Sequence, residues 1–370
     1  MTATTGQLSG NRWLWVFGGL IAFAIATVIG VVALGTFDTP IDPDVGYSIP
    51  GANSFALVFA IAAIVGIVVY ALMEYLQTRR ISSITSQFDT RTLVLMPIAI
   101  AFNIILGQAV GTALKIPIYL DSIGTILVGA LAGPIPGAIT GLLSNMLWGY
   151  VVPPPFHNDY IGAFAIVAAV IGLLAGIFGR MGWLRPRPNR GLTELAVGAA
   201  IAVGLIVGLA YLAFLGYAAI LGSTDLTPVP GQGDVFGVPL FTLLGYLALL
   251  LVGGTAVGLV LLLVVRRDLT AAYVVVAGVI TGIIAAAISA PISANVFGGV
   301  TGAGTDFLVL AFRQAGADIS AATLGQGLIS DPIDKVVTFF VVYLILSAMA
   351  VRTKARFPQG EDLVSAEASA

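Results

Sequence analysis

Long apolar runs alternate with short charged breaks along this chain, and that alternation leaves few folds open. Runs near 13–36, 55–77, 92–114, 121–133, 135–150, 160–180, 192–221, 239–265, 271–290 and 333–352 predict about ten transmembrane segments, at about 20 residues for a full crossing. Backbone polar groups inside a bilayer must bond within their own segment, so runs of this kind fold as helices. The expected fold class is therefore all-α, a polytopic helical membrane protein. Composition agrees: 58% of the 370 residues are hydrophobic and 9% are charged, with a mean hydropathy of +1.04. Soluble domains carry far more charge. The fourth and fifth runs are short and meet at 133–137 (Gly-Pro-Ile-Pro-Gly), which predicts a tight helix hairpin.

The charges orient the chain. With the N-terminus cytoplasmic, every basic residue except Lys115, Arg313 and Lys335 falls on the inner side, while Asp38, Asp42, Asp44, Asp159, Asp225 and Asp234 fall outside. That asymmetry is what positive-inside insertion requires. Both termini are expected in the cytoplasm, and the chain in the cell membrane. The tail 357–370 is short, polar and acidic, and reads as disordered.

Several function classes drop out. A net charge of −2 provides no basic footprint for nucleic acid. There is no cysteine and one histidine, His157, which argues against thiol chemistry and a His-based metal cluster. No GxxxxGK[ST] phosphate loop occurs, so any ATPase would be another chain. No nucleophile–base pair stands out, so no enzyme and no cofactor are expected.

Four polar constellations are the candidates for function. In 116–124 and 143–149, Asp121 stands at a helix start, and Asn145 and Trp148 lie three apart on one helix face. An amide and an indole together suit a flat polar ligand; capping, helix–helix bonding and interface anchoring are the structural alternatives. The stiff loop 151–160, with three prolines, reads as a surface connection or as a lid bearing His157, Asn158 and Asp159. The glycine-rich stretch 290–306 reads as irregular backbone presenting Asn295, Thr305 and Asp306. Finally, 304–335 is a polar island holding Asp306, Arg313, Asp318, Asp331, Asp334 and Lys335. It reads as a re-entrant or surface-lying helix pair near 304–330. Asp331-Pro332 reads as the N-cap and first residue of the last span, with Lys335 four residues on from Asp331. Ionisable groups drawn into the apolar zone cost about 2.5–3.5 kcal/mol each on insertion scales, which makes them functional candidates. On the third run, Gly107 and Gly111 form a GxxxG face for internal packing or for docking another membrane subunit.

These residues carry a resemblance. The 99–107 helix, the 116–122 turn (Ile-Pro-Ile-Tyr-Leu-Asp-Ser), the 129–138 hairpin and the 330–335 finish (Ser-Asp-Pro-Ile-Asp-Lys) resemble the substrate-binding S component of energy-coupling factor (ECF) transporters. The resemblance covers 92–180 and 271–352. It implies capture of a small vitamin-, nucleobase- or nucleoside-like solute at the outer face, and delivery inward with an ECF-type T component and two cytosolic ATPases. It implies a pocket at Asp121, Asn145, Trp148, Asn295, Asp306 and the Asp331–Lys335 region, to which Thr305 and Arg313 are added from the polar island. It further implies a division into an N-terminal pair of extra helices (1–91), a first bundle part (92–180), an additional helix pair (181–268), a last bundle part (269–352) and the tail (353–370). S components have about six spans, so the extra helices depart from the pattern, as does the absence of a clean AxxxA docking face. A self-sufficient secondary transporter and a membrane sensor or scaffold are the alternative readings.

Overall fold

The computed structural model describes residues 12–34, 48–113, 118–154, 156–158, 160–221, 234–235 and 238–364. Among these, the regular structure is helical apart from a two-residue antiparallel pairing of Asp234–Val235 with Val238–Pro239. The helices are α1 (Arg12–Leu34), α2 (Ile49–Thr78), α3 (Ser82–Thr85), α4 (Thr90–Gly107), α5 (Ile123–Ala132), α6 (Pro134–Tyr150), α7 (Ala165–Arg180), α8 (Leu192–Leu221), α9 (Leu240–Val264), α10 (Thr270–Phe297), α11 (Asp306–Gln314), α12 (Ile319–Ala348) and α13 (Val351–Lys354). Among the described residues, six helical segments are long and apolar enough to cross a membrane: 14–34, 49–78, 90–110, 161–180, 192–209 and 270–297. The first, second and fifth expose most of their apolar side chains, such as Val28, Ile29 and Val32 on α1, whereas 161–180 and 270–297 are mostly buried in the bundle. That is the mark of a membrane-embedded, multi-pass helical protein, because lipid rather than water meets those faces.

Local sequence explains the helix starts. Ser48 caps α2 by accepting from Gly51 N at 3.1 Å, with proline in the first turn. Asp89 caps α4 by accepting from Thr92 N at 2.7 Å, and Asp318 caps α12 by accepting from Ala321 N at 2.8 Å. Each cap satisfies one of the backbone donors that a helix start leaves open. The hairpin expected at 133–137 forms with Gly133 alone between α5 and α6, at φ +133°. A side chain is strained there, and its Cβ would also meet Gln87 Oε1 at 2.3 Å.

Close helix pairing joins α10 to α12 through missing side chains. A Cβ on Gly282 would lie 2.3 Å from Pro332 Cα, and one on Gly278 would lie 2.5 Å from Val336 Cα. Backbones in this contact approach as in small-residue membrane interfaces. Inside the bundle, Asn103 of α4 is fully buried. Its amide donates to Thr125 Oγ1 at 2.8 Å and Ser144 Oγ at 3.0 Å, and its carbonyl accepts from Gly124 N at 2.7 Å. One side chain thus ties α4 to α5 and α6.

Three expectations are corrected. Residues 320–329 are not a separate short helix, and Asp331-Pro332 is not a helix start. Both lie inside α12, which begins at Ile319 behind its Asp318 cap. Pro332 is accommodated because Gly282 leaves room for it, although the ring removes one helix hydrogen bond. Residues 290–297 are not irregular but complete α10; the irregular backbone starts at Gly298 (φ 57°) and Gly299 (φ 85°). The tail is ordered as far as Val364, with Leu363 buried. Gln359 anchors it: its N–H donates to Leu131 O at 2.9 Å and its side chain donates to Gly129 O at 3.1 Å. Residues 365–370, and the acids Asp38, Asp42, Asp44, Asp159 and Asp225 used for orientation, lie outside the described residues, as does Lys115.

Candidate functional site

A cavity of about 250 Å³ opens at one end of the bundle. It lies where α4 and α6 finish, where α5 and α7 begin, and beside the last turns of α10 and the first half of α12. Every described residue that lines it falls within 92–180 or 269–352. The bends rich in arginine, at 180–190 and 266–267, are at the other ends of the same helices.

The polar wall comes from α12 and from the bend before α5. Asp334 is fully buried and lies just behind the wall. Its Oδ1 accepts from Tyr119 N at 2.9 Å and Leu120 N at 3.0 Å, and its Oδ2 accepts from Lys335 Nζ. Leu120 has φ +52°, a left-handed conformation that costs a bulky residue about 1–3 kcal/mol. The two bonds to Asp334 hold that bend in place, so Asp121 and Ser122 are presented to the cavity. Lys335, 3% exposed, donates to Ser122 Oγ at 2.9 Å and lies 3.8 Å from Asp121 Oδ1. The expected Asp331–Lys335 pair is therefore replaced by pairs to Asp334 and Asp121.

Asp331 faces the cavity from the next turn of α12. Ser330 Oγ donates to it at 3.2 Å and Ser289 Oγ of α10 at 3.4 Å. Gln326 Nε2 donates to Ser330 Oγ at 2.6 Å and to Tyr119 Oη at 3.3 Å, and Tyr119 Oη shares a 2.7 Å hydrogen bond with Thr305 Oγ1. A continuous polar chain thus runs from Thr305 to Asp331. Networks of this kind are worth keeping only when every member is satisfied.

The facing wall is aromatic and apolar. Trp148 is buried beneath Gly107, where a Cβ would sit 2.4 Å from the indole Cη2. Its Nε1 donates to Phe156 O at 2.8 Å, which ties the proline-rich loop to α6. His157 Nδ1 donates to Val152 O at 2.8 Å, and Asn158 Oδ1 accepts from Tyr160 N at 3.0 Å, so the loop is internally braced. Phe164, Val167 and Ile171 supply the apolar surface, with Phe164 stacked on Phe297 at 5.5 Å.

The sequence candidates therefore divide. Asp121, Asn145, Trp148, Asp331 and Lys335 all line the cavity. Thr305 supports it through Tyr119. Asp306 acts one step further back, accepting from Thr301 N and Thr301 Oγ1 at 3.0 Å each, which fixes the loop 301–303 that lines the site. Two candidates are elsewhere. Asn295 is exposed and donates to Pro291 O at 2.8 Å, and Arg313 is exposed and donates to Ala317 O at 3.0 Å at the end of α11. Gly107 is covered by Trp148 and Asp121 of its own chain, so that surface does not face a partner. Gly111 falls in a π-helical stretch, Gln108–Ala113, which breaks the α-periodicity a GxxxG face needs. Tyr119, Ser122, Tyr160, Ser289, Ser293 and Gln326 line the site without having been singled out as ligand contacts. Only Gln326 carried a signal, an amide at an outer position with no capping role.

Comparison of the chain with protein-family models, with curated proteins and with solved structures gave no match in any of the three.

Proposed function

We propose that the chain is the membrane-embedded capture subunit of an ECF-type importer. On this reading it binds a small vitamin-, nucleobase- or nucleoside-like solute in the cavity at the outer face of the cell membrane. It passes the solute inward with a separate T component and two cytosolic ATPases. The observation that carries the reading is the cavity itself: a concave space that opens at one end of a helix bundle, with a few convergent polar groups opposite an aromatic wall. At about 250 Å³ it is smaller than the ~300–1,000 Å³ typical of drug-sized ligands. Among the described residues, the lining comes from the two stretches that carry the S-component resemblance, and none of it from the extra helices α1, α2, α8 and α9. Solute binding would bias the subunit toward its releasing state.

Native mass spectrometry of the purified protein tests this. One small molecule per chain, lost in Asn145→Ala, supports the reading; mass identical to the bare polypeptide from every preparation counts against it.

One observation favours a second reading, a self-sufficient secondary transporter. Asp121, Asp331, Asp334 and Lys335 form a buried ionisable group beside the cavity, the kind of feature that marks ion and proton pathways in membrane helices. Ion-gradient-driven uptake of the co-purified molecule by this chain alone in liposomes would establish it in place of the first.

A further inference from the structure

We infer that the cavity takes a ligand bearing a positive charge, a protonated amine or amidine on a small flat or apolar body. The inference rests on the capture reading and narrows its substrate class. It starts from a charge inventory. Three carboxylates, Asp121, Asp331 and Asp334, gather around one ammonium, Lys335, and with all four ionised the group carries a charge of −2.

Lys335 is already committed. It is held by Asp334 and by Ser122, with Asp121 at 3.8 Å. No lysine or arginine among the described residues comes within ion-pair distance of Asp331, whose hydrogen-bond partners are the hydroxyls of Ser330 and Ser289. Yet Asp331 is only 7% exposed and its exposed part faces the cavity. An ionised carboxylate so placed is stabilised by a positive partner, because desolvating a lone charge is costly.

The hydrogen-bond direction shows which state of Asp331 the site supports. Gln326 Nε2 donates to Ser330 Oγ, and Ser330 then donates onto Asp331 Oδ1. Ser289 donates onto the other oxygen. The Ser330 hydroxyl is directed at the carboxylate, and the Ser289 hydroxyl is shared at 3.4 Å between Asp331 and Ala286 O, an arrangement that supports the ionised, accepting form. The remaining lone pairs of Asp331 are free to accept from a ligand N–H, and a charged donor makes the stronger bond.

The rest of the cavity sets the body of the ligand. Phe164, Val167 and Ile171 offer an apolar bed, and Tyr160 and Trp148 offer rings. A volume of about 250 Å³ corresponds to about eight water molecules at ~30 Å³ each, which suits a single ring with a short arm. Among the described residues no three or more His, Asp or Glu side chains are placed to hold one metal ion, and the apolar and aromatic lining suits an organic cation.

The test uses three probes of one shape: phenethylamine as the cation, 2-phenylethanol as the neutral analogue and phenylacetate as the anion. Binding is followed by tryptophan fluorescence and by calorimetry on the purified full chain in detergent at pH 7. Phenethylamine is expected to bind at least about tenfold tighter than the other two, a 1.4 kcal/mol difference. Asp331→Asn should erase that preference, while Asp331→Glu should keep it. An order led by phenylacetate or 2-phenylethanol overturns the charge assignment and leaves solute capture standing, as does a preference that survives in Asp331→Asn. If Asp331→Asn does not fold, the order among the probes in the wild type decides alone. If none of the three binds, the charge of any co-purified compound decides: a basic nitrogen supports the assignment and its absence overturns it. Failure of the probes with no co-purified compound overturns capture and charge class together.

Discussion

Asp334 is the side chain on which the polar wall depends, and replacing it separates two contributions. Asp334→Ala removes the acceptor of two backbone N–H groups, those of Tyr119 and Leu120, and the main partner of buried Lys335. Breaking a buried ion pair by deleting one partner costs about 3–5 kcal/mol, because the other charge is left in an apolar setting. The two backbone donors add to this, at about 1–3 kcal/mol for each left unsatisfied, although Asp121 at 3.8 Å recovers part of the lysine's loss. A total of about 5 kcal/mol, the low end of those ranges, follows for alanine, taken with the non-additivity of neighbouring groups. Asp334→Asn keeps a carbonyl oxygen for the two N–H groups but sets an uncharged NH2 against Lys335 Nζ, so only the ion-pair part of the loss, about 3 kcal/mol, should remain. Unfolding in mixed micelles, followed by circular dichroism, measures both. Because the same bonds hold Leu120 at φ +52°, the alanine variant should also expose 118–122 to hydrogen exchange while the asparagine variant does not. An alanine variant within about 1 kcal/mol of wild type, or equal losses in the two variants, would refute the argument that Asp334 anchors the bend through its N–H bonds.

Other substitutions address other parts of the account. Gly282→Val drives a branched side chain into Pro332, whose Cα would be 2.3 Å from the new Cβ, so α10 and α12 must part; a loss of about 3 kcal/mol or failure to fold is expected in the same unfolding assay. Asn103→Leu strips three bonds and leaves Gly124 N without its acceptor, for a loss of about 2–3 kcal/mol in that assay. Trp148→Phe keeps the ring against Gly107 but removes the bond to Phe156 O; limited proteolysis within 151–160 should quicken with little change in global stability. Gln359→Ala should release the C-terminal segment, read as faster trimming by carboxypeptidase past Val364.

Helix positions were legible in the sequence because lipid-grade runs and caps are local signals. All ten apolar runs fall on helices, and Gly133 marks the hairpin turn as expected. The misreading of Asp331-Pro332 shows where local rules stop. An aspartate before a proline is a strong helix start in isolation, but here the glycine at 282 on a distant helix makes room for the proline in mid-helix. The same tertiary effect turned the Asp331–Lys335 spacing into a false pair, since Asp121 and Asp334 are the closer carboxylates in space. Five candidate site residues converge because each was a polar or aromatic group in an apolar run with no other evident purpose. Ser289 and Ser293 escaped because single serine hydroxyls in membrane helices commonly bond their own backbone, and sequence does not tell the two uses apart.

The central claim, that this cavity holds a solute, is tested most directly by filling it. Ser289→Phe places a ring in the cavity from α10 while leaving Trp148, Asn145 and Lys335 unsubstituted. Native mass spectrometry of wild type and variant, matched for thermal stability, gives the answer. One bound small molecule per wild-type chain and none on the variant is the expected result; a molecule retained equally by both would contradict the assignment of the site.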